Sequence, residues 1–315
     1  MKIVLGHVEG DFHAELAAEF PDHEFVAAAS VPKQLSEVVD AEIFYGWPTR
    51  EVFLAARKLR WIQCAGTGVD AVLTTPEVAS SNVILTNMKG PHTAPMADHV
   101  FGMIITLAHR LREMWEAQNR REWDIPHWHE TLTELEGRTM GLVGLGGIGL
   151  AVARRAKGFG MAVRGVDPRA VNSVYVDFAW PPERLGDLAA ISDWLVVTTP
   201  YTPDSRHIVN GEIFGRMRPS SRLVVISRGG IVEEASLLDA LRSGRIAGAA
   251  LDVFETEPLP PESEFWDLPN VLITPHVSAE TAETFDGRRQ IFRENLGRYF
   301  AGETLMHQVD KTAGY

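Results

Sequence analysis

Three residues late in the chain have types and spacing that could do chemistry together: Arg228, Glu257 and His276. Each closes an apolar run. Arg228 follows Val224-Val225-Ile226-Ser227, Glu257 ends Leu251-Asp252-Val253-Phe254-Glu255-Thr256, and His276 follows Ile273-Thr274-Pro275. If those runs are strands of an open α/β sheet, the three residues stand at strand ends, where such sheets place their active sites. An imidazole titrates near neutral pH and can hand a proton to the oxygen of a carbonyl being reduced. A carboxylate beside it favours the charged ring and fixes its orientation. A guanidinium fork suits a carboxylate and polarises the carbonyl next to it. Singly, each has a plainer reading as surface ion pair, loop acid or turn histidine. Jointly they form a set suited to hydride transfer.

The elements that would position them centre on Val143-Gly144-Leu145-Gly146-Gly147-Ile148-Gly149. Gly144, Gly146 and Gly149 spell G-x-G-x-x-G between an apolar run (Met140 to Val143) and a helical segment (Leu150 to Phe159). A second run, Met161 to Val166, delivers Asp167 about twenty residues further on, the order of a dinucleotide-binding βαβ unit. The first glycine permits the tight turn, the second lets backbone approach a pyrophosphate, and the third lets helix and strand pack closely. The helix start turns free N–H groups toward phosphate. Asp167 would bond ribose hydroxyls and repel a 2′-phosphate, which favours NAD; Arg169, close behind it, leaves NADP as the lesser option.

The chain has 315 residues, more than one ordinary core holds, so two domains are expected. A formal charge of −12 lacks the basic footprint of a nucleic-acid or anionic-membrane partner. The single cysteine, Cys64, cannot close an internal disulfide, which suits a reducing cytoplasm; apolar neighbours mark it as a buried thiol. The apolar run after Met1 is too short for a signal peptide, and the run from Val100 to Ala108 is too short for a membrane span.

Strand–helix alternation runs through the first part. Strands are expected near 2–5, 24–28, 43–45, 61–64 and 83–86, with helices near 12–20, 35–39 and 50–56. One long helix is expected from Thr93 to Asn119, then an irregular loop from Trp123 to Glu136. Strands follow near 140–143, 162–166, 194–198, 223–226, 247–251 and 271–274, with helices near 211–217 and 233–241 and a last helix near 279–300. The expected fold is α/β: two Rossmann-like lobes, each a parallel sheet covered by helices, with a cleft between them. Residues 1–95 with 280–315 would form a substrate-binding, flavodoxin-like domain, and 96–279 an NAD-binding one.

The glycine loop, Ser227-Arg228-Gly229, Asp252-Val253-Phe254-Glu255-Thr256-Glu257-Pro258 and Thr274-Pro275-His276 resemble the successive signatures of the D-isomer-specific 2-hydroxyacid dehydrogenases. Cys64-Ala65-Gly66-Thr67-Gly68-Val69-Asp70 resembles that family's substrate-carboxylate loop. The resemblance covers almost the whole chain. It implies that Arg228 binds the substrate's carboxylate and carbonyl, that His276 is the acid/base with Glu257 as its partner, and that backbone N–H groups around Thr67 and Gly68 hold the carboxylate. It also implies a cofactor lined by Gly144, Gly146, Gly147, Ile148, Asp167, Ile226, Ser227 and Arg228, with Thr199 and Pro200 beside adenosine and Asp252 near the nicotinamide amide. A homodimer through the cofactor domain is implied too, acting on a small 2-oxo or 2-hydroxy acid.

Some positions depart from the family pattern. Gly147 stands where an Arg is frequent, Ser227 replaces a common Ala, and Ser278-Ala279 replaces small Gly/Ala pairs; none removes a catalytic group. The tail from Gln308 to Tyr315 resembles the glyoxylate/hydroxypyruvate reductases of the family. The rival reading is a non-catalytic NAD-sensing regulator of the same fold. Formate enzymes place Gln where Glu257 stands and phosphite enzymes place Lys in the Thr67-Gly68 loop, so both rank lower. His92 and His99 read as cap or core-facing polar groups, Trp47 as a wall of the substrate site, and Trp115, Trp123 and Trp128 as interface or core anchors. His127 and His129 lack a third ligand at metal spacing, so no metal is expected.

Overall fold

The computed structural model describes residues 1–123 and 128–314. The chain divides into two compact units, Met1–His92 with Thr281–Tyr315, and Thr93–Glu280.

The first unit holds five parallel strands, β1 (Lys2–Leu5), β2 (Glu24–Ala27), β3 (Ile43–Tyr45), β4 (Trp61–Gln63) and β5 (Ile84–Thr86), in the order β2-β1-β3-β4-β5. The strands are short and the central ones buried, as expected when helices cover both faces. One face packs Ile3, Leu5, Tyr45 and Trp61 against Phe292 and Leu296. Those two belong to the helix Ala282–Ala301, capped by Thr281 through the Thr284 N–H. The other face packs Val4, Phe44, Ile62 and Cys64 with Val38, Val52 and Val72.

The second unit holds seven parallel strands: β6 (Thr139–Val143), β7 (Ala162–Val166), β8 (Phe178–Trp180), β9 (Trp194–Val197), β10 (Arg222–Val225), β11 (Gly248–Leu251) and β12 (Val271–Ile273). Their order is β12-β11-β10-β9-β6-β7-β8. Alternate residues of the same strands feed two cores: Val143, Leu195, Val225 and Leu251 on one face, Leu142, Val196, Val224 and Ala250 on the other.

Two expected elements differ. The single helix expected over Thr93–Asn119 is two, Thr93–Ala108 and Leu111–Arg120. Arg110 between them is left-handed at φ 50°, and the Ala108 carbonyl accepts the Thr133 N–H, ending the first helix. The loop expected over 123–136 contains a helical turn, Trp128–Thr131. Nor do Trp115, Trp123 and Trp128 anchor a core of this chain, since all three are exposed.

Candidate active site

The dinucleotide cradle sits where the second sheet reverses its strand order, between β6 and β9. Gly144 leaves β6 at φ 96°, and a Cβ there would lie 2.9 Å from the Thr199 backbone. Thr198 braces the turn by donating its hydroxyl to the Gly144 carbonyl at 2.8 Å. The helix Gly147–Gly158 starts at once, and Leu150 is the first N–H to reach back to Gly146. The N–H groups of Gly147, Ile148 and Gly149 therefore remain for an anion. A Cβ on Gly149 would stand 2.2 Å from the Gly144 carbonyl oxygen, so close packing of helix and strand requires glycine. At Gly146 the nearest group a Cβ would meet is the end of the Arg169 side chain, 4.0 Å away. The residues present thus fit a pyrophosphate approached by bare backbone.

Asp167 follows β7 and is buried. It accepts the Leu145 N–H at Oδ2 (2.9 Å) and the Arg169 N–H (3.0 Å) and Nε–H (3.1 Å) at Oδ1. Burial alone would raise its pKa, but Arg169 and the two backbone donors outweigh it and hold the carboxyl below the usual range. Ile226 and Ser227 leave β10 on the same edge, and the Ser227 hydroxyl is buried without a hydrogen-bond partner.

Arg228, Glu257 and His276 come from the ends of the adjacent strands β10, β11 and β12. The structure joins two of them directly: His276 Nδ1 lies 2.6 Å from Glu257 Oε2. The other oxygen of Glu257 accepts the Phe254 N–H at 2.9 Å, which fixes the carboxylate. The Arg228 guanidinium donates to the Ser227 carbonyl at 2.8 Å, and the residue after it packs against the loop that carries Glu257, where a Cβ on Gly229 would overlap the Phe254 carbonyl oxygen at 2.0 Å. His276 is left-handed at φ 56°. Asp252, for which the resemblance implies a place near the nicotinamide, has an anchoring task here. Its carboxylate accepts the N–H groups of Val277 and Ser278, both at 3.0 Å.

In the first unit, the loop after β4 has its carbonyls tied down. Met88 N–H bonds Gly66, Asn87 Nδ2 bonds Thr67, and Trp47 Nε1 bonds Gly68. Planar trans peptides turn the following N–H groups the opposite way. The Thr67 hydroxyl and Asn87 Oδ1 are buried there without partners.

Glu234 escaped the sequence reading, and His99, read there as a cap or core-facing group, has a partner that reading did not find. Glu234 accepts the Glu255 N–H at 2.6 Å and lines, with Arg228 and Phe254, a small recess behind the site. Burial pushes its pKa up, opposed by that N–H and reinforced by the charges of Glu255 and Glu257. His99 lies 3.0 Å from the Thr274 hydroxyl, a contact across 175 residues that no local pattern reveals. His92 is buried in the first unit, its Nδ1 on the Met88 carbonyl and its Nε2 facing Arg288. Cys64 is buried with its thiol pushed up to about 12, so it is no nucleophile at neutral pH. His127 lies outside the described residues. Among the described residues, no three His, Cys, Asp or Glu side chains gather as metal ligands, and no helix is long and apolar enough to cross a membrane.

A carboxylate-braced imidazole on the edge of a sheet that also bears a dinucleotide cradle defines a nicotinamide-dependent oxidoreductase. Comparison with known proteins narrows the class. Residues 101–278 match the model of the D-isomer specific 2-hydroxyacid dehydrogenase NAD-binding domain. A glyoxylate reductase from Korarchaeum cryptofilum is 35% identical over 83% of this chain and 79% of its own length. The D-3-phosphoglycerate dehydrogenase of Methanocaldococcus jannaschii is 33% identical over 83% of this chain, but the match spans only 49% of that longer protein. Among solved structures, the NADPH-dependent glyoxylate/hydroxypyruvate reductase of Sinorhizobium meliloti, bound to NADP and sulfate, superposes with a TM-score of 0.86 at 30% identity, covering 100% of this chain and 99% of that one. The chain belongs to the D-isomer specific 2-hydroxyacid dehydrogenase family, oxidoreductases that act on the CH–OH group of 2-hydroxy acids with a nicotinamide cofactor.

Proposed function

We propose that this protein reduces a small 2-oxoacid to its D-2-hydroxyacid, preferring NADH. The observation that carries the reading is the 2.6 Å contact between His276 Nδ1 and Glu257 Oε2. With Nδ1 held there, Nε2 is the imidazole atom left to deliver a proton to the substrate oxygen. Glu257 stabilises the imidazolium in the state that receives the oxoacid. Arg228 takes the substrate carboxylate and polarises the neighbouring carbonyl. Thr67 and Gly68 are the backbone donors that the first unit offers the carboxylate. The nicotinamide, when bound, supplies the hydride. Asp167 selects the ribose hydroxyls of NAD, while the adjacent Arg169 guanidinium admits NADP as a second choice.

A homodimer through the cofactor unit accounts for the exposed Trp115 and Trp123, aromatic surface that a partner would cover. A lone buried thiol suits a reducing cytoplasm.

The test is cofactor consumption with a panel of 2-oxoacids, from glyoxylate and hydroxypyruvate to phenylpyruvate, using NADH and NADPH. Turnover with NADH is expected, and the rank order reports the substrate side chain accepted. His276→Gln should lower turnover by roughly 10²–10⁴-fold with NADH affinity unchanged. Equal activity in that variant ends the assignment. Silence of the wild type with both cofactors, despite tight NADH binding, would place the chain with non-catalytic regulators.

A further inference from the structure

Behind His276 runs a chain of side chains that starts on the helix Thr93–Ala108. His99 Nε2 is 3.0 Å from Thr274 Oγ1, and Thr274 Oγ1 is 2.5 Å from Asp252 Oδ1. Asp252 in turn holds the N–H groups of Val277 and Ser278, the two residues after His276. The His276 N–H itself bonds the Thr274 carbonyl at 3.1 Å. The turn so clamped is one that a residue with a Cβ rarely adopts, since His276 is left-handed at φ 56°.

The direction of each bond follows from what each atom can offer. A carboxylate has only lone pairs, so the Thr274 hydroxyl donates to Asp252 and meets His99 as an acceptor. The His99 ring must then carry a proton on Nε2. The Asp252 side chain is fully buried, and among the described residues the basic group near it is His99, 3.7 Å away. The imidazole therefore orients the hydroxyl and lends positive potential to a carboxylate otherwise held by dipoles.

We propose that His99 is a positioning residue for proton delivery: through Thr274 and Asp252 it fixes the turn that presents His276. It does not touch the substrate. Without it, the Thr274 hydroxyl is free to rotate, the Asp252 grip on residues 277 and 278 loosens, and the His276 ring loses its alignment with Glu257. Small misplacements of a reacting group are amplified in rate. The proposal rests on His276 being the proton donor.

The experiment compares His99→Leu, His99→Gln and Thr274→Val in the full chain, with the best 2-oxoacid of the panel. His99→Leu and Thr274→Val should each lower kcat about tenfold or more, while oxoacid KM and NADH affinity stay within about twofold. His99→Gln places an amide donor near the position of Nε2 and should recover most of the loss. The double variant His99→Leu/Thr274→Val should fall no further than the worse single one, because the two act in series. Thr274→Val keeps the side-chain shape but removes a donor from the buried Asp252 carboxylate, so thermal unfolding of both variants is measured beside the kinetics, and the wild-type ring tautomer needs neither variant. Nitrogen-resolved NMR of the His99 ring should show the Nε2–H tautomer, whether or not a substrate is known. Wild-type kcat in both His99→Leu and Thr274→Val, additive losses, or an Nδ1–H ring would overturn the proposal. A wild type silent with every oxoacid would sink the functional reading instead, leaving the tautomer to judge the clamp.

Discussion

Each unit reverses its strand order once, between β1 and β3 in the first and between β6 and β9 in the second, and each reversal opens a crevice at the strand ends. The two are furnished in opposite ways. In the first, His7 and Trp47 follow the strands, their rings nearly perpendicular with centroids 5.5 Å apart. Gly46 lets the chain squeeze past at φ 125°, where a Cβ would stand 2.9 Å from the His7 N–H nitrogen. In the second, glycines leave the backbone bare from Gly144 to Gly149. Topology supplies a crevice in both, and side-chain absence makes only the second a cradle for pyrophosphate. The first has aromatic walls and tied-down carbonyls instead, which under the proposed function would shape the site of a small acid.

That contrast is broken most forcefully by putting a side chain into the bare crevice. Gly149→Ala sets a methyl against the Gly144 carbonyl, where no flexible side chain can yield. NADH affinity measured by calorimetry should fall roughly a hundredfold, the upper range of overpacking penalties. An Ala variant that binds normally would show that the tight helix–strand contact is dispensable. Next in size is Asp167→Asn, which keeps an acceptor for the Leu145 N–H but removes the charge. The ratio of kcat/KM with NADPH to that with NADH should rise about tenfold; an unchanged ratio would mean Asp167 serves the turn and not cofactor choice. In the first crevice, Trp47→Phe deletes the bond to the Gly68 carbonyl, a loss of about 1 kcal/mol. Oxoacid KM should rise several-fold with NADH affinity unchanged, and a change in NADH affinity would blur the division of labour.

The smallest effect is on stability. The pKa of Glu234 is raised in the folded chain, so its contribution is fully present below the unfolded value and is lost as pH rises through the folded one. Glu234→Gln keeps an acceptor for the Glu255 N–H without the charge. It should melt about 1–2 °C above wild type at pH 8 and show no advantage near pH 4. An advantage that persists at pH 4 would assign the effect to packing.

Much of this was legible beforehand because the signals are local. Short continuous apolar runs located eleven of the strands to within a residue or two at their ends, and the glycine spacing located the cradle. The pairing of His276 with Glu257 was legible from strand-end placement together with the family resemblance, not from spacing alone. What escaped depends on contacts distant in sequence. β8 (Phe178–Trp180) is a short edge strand followed by Pro181 and Pro182, which hide its pattern. The break at Arg110 needs Thr133 to take the Ala108 carbonyl. His99 looked like a cap or core-facing group because its partner Thr274 lies on the far side of the second sheet's sequence.

The first unit is also split in the chain: its sheet is made from residues 2–86, but Phe292 and Leu296, which cover Tyr45 and Trp61, come from the last helix. On the ribosome, synthesis proceeds in one direction. The second unit, contiguous in sequence, can complete its core as it emerges, whereas the first must hold an uncovered aromatic face while all of the second is translated. During that wait Tyr45 and Trp61 are surface for chaperones to guard, and the nascent protein is at its most vulnerable in the half that was made first.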